Sequence, residues 1–176
     1  METQEPKLLP EDMGSVVRFL NAFLDKSTRI VQHLDAQINI LIGISSAIFL
    51  FSASKFLQPN QEISLLFLII TLAAGLSAFV ALFAIHPPRF MRKRGQKESL
   101  LYNKNISGLN SFKEYAQALK ELTTDKDAMI EQYSIEIYNL AKYYYGPKRR
   151  LFHLSRNILI IGIVFFIIAI LINIFV

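Results

Sequence analysis

Two hydrophobic patterns follow each other along the chain. Between residues 11 and 35, apolar side chains recur at steps of three and four, which predicts an amphipathic helix with a coiled-coil-like seam. The seam residues are Val17, Leu20, Leu24, Ser27, Val31 and Leu34. Longer, largely apolar runs then follow at 36–57, 63–86 and 157–176. Each is long enough for a helix to cross a bilayer, so the pattern predicts three transmembrane helices.

No stop signal separates the amphipathic pattern from the first apolar run. We therefore predict one helix from about residue 12 to residue 57, which leaves the cytoplasm and enters the membrane. Residues 1–10 contain two prolines and little pattern, which is typical of a flexible lead-in. Residues 58–62 are polar and predict a short external turn between the first two spans.

The segment 87–156 carries the signals of further helices. Ser111 and Glu114 match a capping box and predict a helix to about Leu122, and Asp125 is placed to cap the next one. A second seam follows at Ile130, Tyr133, Ile137, Leu140 and Tyr144. We also expect a short helix at 99–106 and a kink, rather than a stop, at Gly146-Pro147. The predicted fold is an all-α membrane protein: three transmembrane helices with a cytoplasmic helical bundle formed by the N-terminal helix and the 99–156 region.

The distribution of charge predicts the topology. Five basic residues lie within 89–97, directly after the second span, and 18 of the 19 Lys and Arg residues fall on one side of the predicted membrane. Since basic loops stay in the cytoplasm, we predict a multi-pass inner-membrane protein with its N-terminus cytoplasmic and its C-terminus outside. The net charge of +5 therefore indicates membrane topology rather than nucleic-acid binding.

Polar residues at the start of the first span form one candidate site. Asp35, Gln37 and Asn39 lie where the helix enters the membrane, and a buried carboxylate there needs a polar partner. One interpretation is interfacial side chains that hydrogen-bond across helices; the other is part of a ligand or gating site at the inner mouth.

Small-residue pairs in the first two spans favour close helix packing. The pairs are Gly43 with Ala47, Ala74 with Ala78, and Ser77 with Ala81, and the hydroxyl residues that either line a pore or bond to their own helix are Ser45, Ser46, Ser52, Thr71 and Ser77.

Two basic clusters, at 89–97 and 148–156, mark the inner membrane face. They either anchor the protein to anionic lipid or hold an anionic ligand between them. The candidate ligand-binding residues are Arg89, Arg92, Lys93, Arg94, Lys148, Arg149 and Arg150. The sequence shows no metal-ligand spacing, no glycine-rich phosphate loop and no nucleophile motif, and it has no cysteine. We therefore expect no enzyme, no metal and no resident cofactor.

The sequence also resembles a known family over about residues 28–165. The marks are Leu34-Asp35-Ala36-Gln37-Ile38 with Gly43, then Ala84-Ile85-His86-Pro87-Pro88-Arg89, Tyr115, and Ile137-Tyr138-Asn139-Leu140-Ala141 with Lys148. In order and spacing these blocks resemble the transmembrane Pycsar effectors of bacterial antiphage defence. The sequence departs from the family pattern at Gln37, where a nearby lysine is expected, and at Gly146-Pro147. The resemblance implies a response to a cyclic pyrimidine nucleotide, cUMP or cCMP, made by a partner cyclase.

The resulting hypothesis is a homo-oligomeric effector that impairs the inner membrane and arrests the cell when the nucleotide binds. One alternative is a membrane-anchored interaction protein that recruits a soluble partner through its cytoplasmic helices. Another is a small channel that needs no ligand. The expected partners are the lipid bilayer, other copies of the chain and the cyclic nucleotide, with no nucleic acid.

Overall fold

The computed structural model describes residues 13–57, 61–91, 99, 100, 108 and 111–175, without the side chains of residues 13, 61–65 and 89. The helices are α1 (Met13–Phe56), α2 (Gln61–Ile85), α3 (Phe112–Thr124), α4 (Lys126–Asn139) and α5 (Gly146–Phe175). A short 3-10 turn covers Arg89–Met91, and a π-helical segment covers Leu140–Tyr145. The described residues contain no strand, so the all-α fold is confirmed.

Three stretches of helix are long and apolar enough to cross a membrane: Gly14–Phe56, Leu66–Ile85 and Lys126–Phe175. Each of them overlaps one of the three predicted spans. The predicted lead-in, most of the external turn and most of the predicted 99–106 helix lie outside the described residues.

α1 is a single helix of 44 residues, as predicted from the uninterrupted seam. The seam continues past Leu34 at the same steps of three and four, and its members are buried or half-buried on one side of the helix. The continuation consists of Ile38, Leu41, Ser45, Ile48 and Ser52. Because no proline interrupts this rhythm, the pattern of the seam continues along the whole of α1.

The chain divides into two compact units. The first contains Met1–Ile30 and Gly95–Ala141, and the second contains Val31–Arg94 and Lys142–Val176. The first unit therefore combines the start of α1 with α3 and α4. These elements belong to the predicted bundle of the N-terminal helix and the 99–156 region. The second unit contains the rest of α1, α2 and α5, and it also takes residues 142–156, which the sequence assigned to the cytoplasmic region.

Local signals set the helix ends in the first unit. Ser111 accepts a hydrogen bond at Oγ from the Glu114 amide (3.2 Å), and Asp125 accepts two at Oδ1, from Asp127 (3.0 Å) and Ala128 (3.1 Å). These bonds satisfy amides that the first turn of each helix would otherwise leave unpaired. Both predicted caps are confirmed. The Tyr133 hydroxyl donates to Asn21 Oδ1 at 2.7 Å, which joins the helix of the second seam to α1 within one chain.

The π-helical segment explains how a helix continues through Gly146-Pro147. Proline lacks an amide hydrogen and clashes with the preceding turn, so a regular helix cannot run through it unchanged. Here the backbone changes to π-helix at Leu140–Tyr145 and α5 starts again at Gly146, which puts Pro147 in a first turn, where no amide donor is needed. The helical path continues as predicted. The π-segment also spans the boundary between the two units, at residues 141 and 142.

Candidate functional site

An ion pair joins α1 to α5 in the three-helix unit formed by the rest of α1, α2 and α5. Lys148 Nζ lies 2.6 Å from Asp35 Oδ1, with the lysine side chain 10% exposed and the aspartate 39% exposed. Each charge compensates the other, so neither is left alone in an apolar setting. The prediction that Asp35 faces a polar partner is confirmed. Lys148, which the sequence placed among the ligand-binding cations, has its ammonium engaged by this carboxylate.

An apolar cluster is built from residues next to the pair in the sequence. Leu34 and Ile38, the neighbours of Asp35 along the seam, form a buried cluster with Ala84 of α2. The half-buried residues that pack against this cluster are Ile42, Ile85, Tyr145, Leu151 and Phe152. Since these contacts come from α1, α2 and α5, the ion pair lies where all three helices meet. A movement of α5 relative to α1 would therefore disturb both the cluster and the pair.

Gln37 and Asn39 do not join Asp35 in one site. Both are exposed, and Gln37 Nε2 lies 3.1 Å from His33 Nε2 on its own helix. Residues two apart on a helix point in nearly opposite directions, so Gln37 turns away when Asp35 points inward. The candidate trio therefore separates into Asp35, which pairs with Lys148, Gln37, which turns away from it, and Asn39, which is exposed one helical turn further along.

Three serines form a second polar contact deeper in the unit. Ser45, Ser77 and Ser155 come from α1, α2 and α5, and all three are fully buried. Ser155 Oγ donates to the Ser77 carbonyl (2.8 Å) and Ser77 Oγ donates to the Ser155 carbonyl (3.0 Å). Each hydroxyl has one proton, so Ser45 is the donor in its 3.1 Å contact with Ser77 Oγ. One hydroxyl from each helix thus completes a closed set of hydrogen bonds in the interior.

Two other hydroxyl residues, Ser52 and Thr71, bond to their own helices. Ser52 donates to the Ile48 carbonyl (2.7 Å) and Thr71 to the Phe67 carbonyl (2.7 Å). Ser45, Ser52, Thr71 and Ser77 all face the interior of the three-helix unit, so in this conformation they do not line a pore between copies of the chain.

Small residues bring α2 and α5 close together. A Cβ atom built on Gly162 would lie 2.2 Å from the Ala73 Cβ, so only glycine fits there. Ala74, Ala81 and Ala84 are fully buried, which confirms the predicted packing role of small residues on the second span. Gly43 differs: a Cβ there would meet no atom within 4 Å, so the predicted Gly43–Ala47 pair faces outward.

The remaining predicted cations are placed differently from Lys148. Arg149 and Arg150 are exposed on α5, and Arg149 Nε donates to His153 Nε2 at 3.3 Å. Arg89 belongs to the 3-10 turn after α2, while Arg92, Lys93 and Arg94 lie outside the described residues. Ser155 is the residue that sequence reasoning missed. It lies seven positions from Lys148, at the spacing of two helical turns, and that shared face was the available signal.

The comparison with protein families gives one match. The family described as Pycsar effector protein domain matches residues 19–174. No curated protein and no solved structure matches the chain. The matched stretch covers nearly all of α1, α2 and α5, together with the helices between them. The chain therefore belongs to the Pycsar effector proteins of antiphage defence, in their transmembrane form.

Proposed function

We propose that this chain is a cyclic-nucleotide-responsive effector that impairs the inner membrane of the infected cell, without catalysing a reaction, as a homo-oligomer. The observation that carries the proposal is the Asp35–Lys148 ion pair, which joins two membrane helices at their inner ends. Membership of the Pycsar effector family supports the role in defence. The trigger is a cyclic pyrimidine nucleotide, cUMP or cCMP, supplied by a partner cyclase.

The position of the pair suits it to hold a resting state. α1 passes from the first unit to the second between Ile30 and Val31, and the π-segment passes between Ala141 and Lys142. Asp35 lies four residues after Val31, and Lys148 lies six residues after Lys142. A ligand that changes the angle of either helix in the first unit therefore acts directly on the helical segments that carry the pair. In this proposal the unbroken pair corresponds to the inactive conformation.

The nucleotide must favour one conformation over the other. A ligand with equal affinity for both states shifts nothing, however tightly it binds. A cyclic nucleotide carries one negative phosphodiester, which arginine binds through several directed N–H groups. We propose that the phosphate is held by Arg89, Arg92, Lys93 and Arg94 with Arg150, and that Lys148 takes part when it leaves Asp35.

The excess of Lys and Arg on one side of the spans supports an orientation with the N-terminus in the cytoplasm and the C-terminus outside. In this orientation the first unit and both basic clusters face the compartment in which the cyclase makes the nucleotide. The first unit would then sense the nucleotide and the second would act on the membrane, and α1 would run through both units.

Co-expression in bacteria tests the proposal. Cells that make the protein with an active pyrimidine nucleotide cyclase are expected to stop growing and to lose membrane potential, whereas cells with a catalytically dead cyclase are expected to grow. Lys148→Met is expected to cause arrest with the dead cyclase. Lys113→Met, the same substitution at an exposed position of α3, is expected to behave like the wild type.

Two results would contradict the proposal. Equal arrest by the wild type with active and dead cyclase would favour a channel that needs no ligand. Normal growth under both conditions, with the protein inserted in the membrane, would favour a scaffold that recruits a soluble partner.

A further inference from the structure

α5 carries a basic stripe that the ion pair does not neutralise. The stripe consists of Arg149, His153 and Arg156, which are spaced by four and three residues and so share one side of the helix. Arg149 and Arg156 are exposed and His153 is half-buried. Arg149 Nε lies 3.3 Å from His153 Nε2, so the stripe is continuous along about two helical turns.

The stripe has no acidic partner in the described part of the chain. The guanidinium of Arg149 lies 6.0 Å from the Tyr145 ring centre, and that of Arg156 lies 6.0 Å from the Phe152 ring centre. Arg156 also makes a contact of 3.4 Å with the Asn157 side chain. Contact with an aromatic ring orients a guanidinium but leaves its charge uncompensated. Lys148, one residue before the stripe, is by contrast paired with Asp35.

The packing of α5 places the stripe beside the membrane-embedded part of the protein. Ser155, next to Arg156, exchanges hydrogen bonds with Ser77, which lies well inside the apolar run of α2. Phe152, next to His153, packs against the Leu34–Ile38–Ala84 cluster. The stripe therefore extends from the level of the ion pair toward the membrane interior, over about 10 Å along α5. Arginine at such a depth extends its charged end back toward the headgroups.

The same exposed side of α5 changes character beyond the stripe. After Asn157 the exposed residues on this side are apolar: Ile160, Val164, Ile167 and Leu171. One surface thus presents cations at its inner end and a hydrocarbon face over the following turns. A phospholipid has complementary parts in the same order, since its charged phosphate is followed by acyl chains.

We infer that the Arg149–His153–Arg156 stripe is a binding site for the phosphodiester of an anionic phospholipid of the inner leaflet. A second copy of the chain suits this surface less well, because two identical stripes would bring like charges together. The inference does not depend on a nucleotide trigger. Cyclic nucleotides also contain a phosphodiester, so the experiment has to separate the two sources.

Native mass spectrometry of the detergent-purified full chain with added lipid tests the site. The wild type is expected to retain phosphatidylglycerol in preference to phosphatidylcholine. Each arginine near an anionic headgroup contributes about a fivefold effect, so R149Q/R156Q is expected to lower phosphatidylglycerol binding by up to about thirtyfold. R18Q/R29Q removes the same charge from exposed positions of α1 and is the matched control, expected to bind as the wild type does.

Three outcomes would overturn the inference. The first is equal retention of the two lipids by the wild type, a measurement that needs no variant to fold. The second is displacement of phosphatidylglycerol by equimolar cyclic UMP, which would assign the stripe to the soluble phosphodiester. The third is a change in subunit number in R149Q/R156Q with lipid retention unchanged, which would assign the stripe to a contact between copies.

Discussion

Replacing Lys148 by methionine removes one charge of the ion pair and keeps most of the apolar stem of the side chain. Asp35 is then left without its partner in the three-helix unit. The complementary variant, Asp35→Asn, keeps the size of the aspartate side chain and leaves the ammonium group unpaired. Both variants are expected to lower the thermal midpoint of unfolding and to weaken the contact between α1 and α5.

The exposure of the two side chains sets the expected magnitude. Removing one partner of a fully buried pair costs about 3–5 kcal/mol, whereas a surface pair contributes about 0–1 kcal/mol. Asp35 is 39% exposed and can be partly solvated alone, so Lys148→Met is expected to cost about 1–2 kcal/mol. Lys148 is only 10% exposed, so Asp35→Asn is expected to cost more, about 2–3 kcal/mol.

A double-mutant cycle measures the coupling between the two groups. The wild type, both single variants and the double variant are unfolded by heat in the same detergent, and their midpoints are compared. The double variant is expected to be more stable than the sum of the single effects predicts, because no charge is then left alone. Single effects below about 0.5 kcal/mol that simply add would show that the pair does not stabilise the unit, and this reasoning would be wrong.

Three further predictions concern other contacts. Gly162→Ala is expected to lower the midpoint by an amount equivalent to about 1–3 kcal/mol, because its Cβ would lie 2.2 Å from that of Ala73, and Ala73→Gly in the same chain should restore stability. Ser77→Ala is expected to cost about 1–2 kcal/mol, since it removes hydrogen bonds to two helices, whereas Ser54→Ala, which loses one bond within its own helix, should have little effect in the same assay. Burial raises the pKa of the Glu136 carboxyl above its ordinary value of 4.5. Above the raised pKa the carboxylate is charged and lowers the stability of the folded state. As the pH falls through the raised pKa toward 4.5, the carboxyl is protonated and this loss of stability disappears. Glu136→Gln should therefore raise the midpoint near neutral pH and have no effect below about pH 4.5; an equal gain at both pH values would contradict this origin.

Features that depend on nearby residues were predictable from the sequence. The length of α1 followed from a seam with no interruption, and the starts of α3 and α4 followed from Ser111 and Asp125. Such signals act over three or four residues, so the sequence contains them in full.

The candidate site was less predictable because its partners are far apart in the chain. Asp35 and Lys148 are separated by 113 residues, and no local pattern connects them. The third span was predicted to begin at residue 157 because Arg156 is charged, but Ser155 bonds to Ser77 inside the unit. The packing of α5 against α1 and α2 therefore extends before the residue at which the predicted span begins.

Dye leakage from liposomes that contain the purified protein tests the central claim most directly. The vesicles are made from phosphatidylglycerol and phosphatidylcholine, and leakage is followed with cyclic UMP, with cyclic CMP and without nucleotide. A nucleotide-triggered effector predicts leakage with one of the two cyclic nucleotides and intact vesicles without it. Leakage that is equal in all three conditions, or absent from all three although the protein has inserted, would contradict the claim.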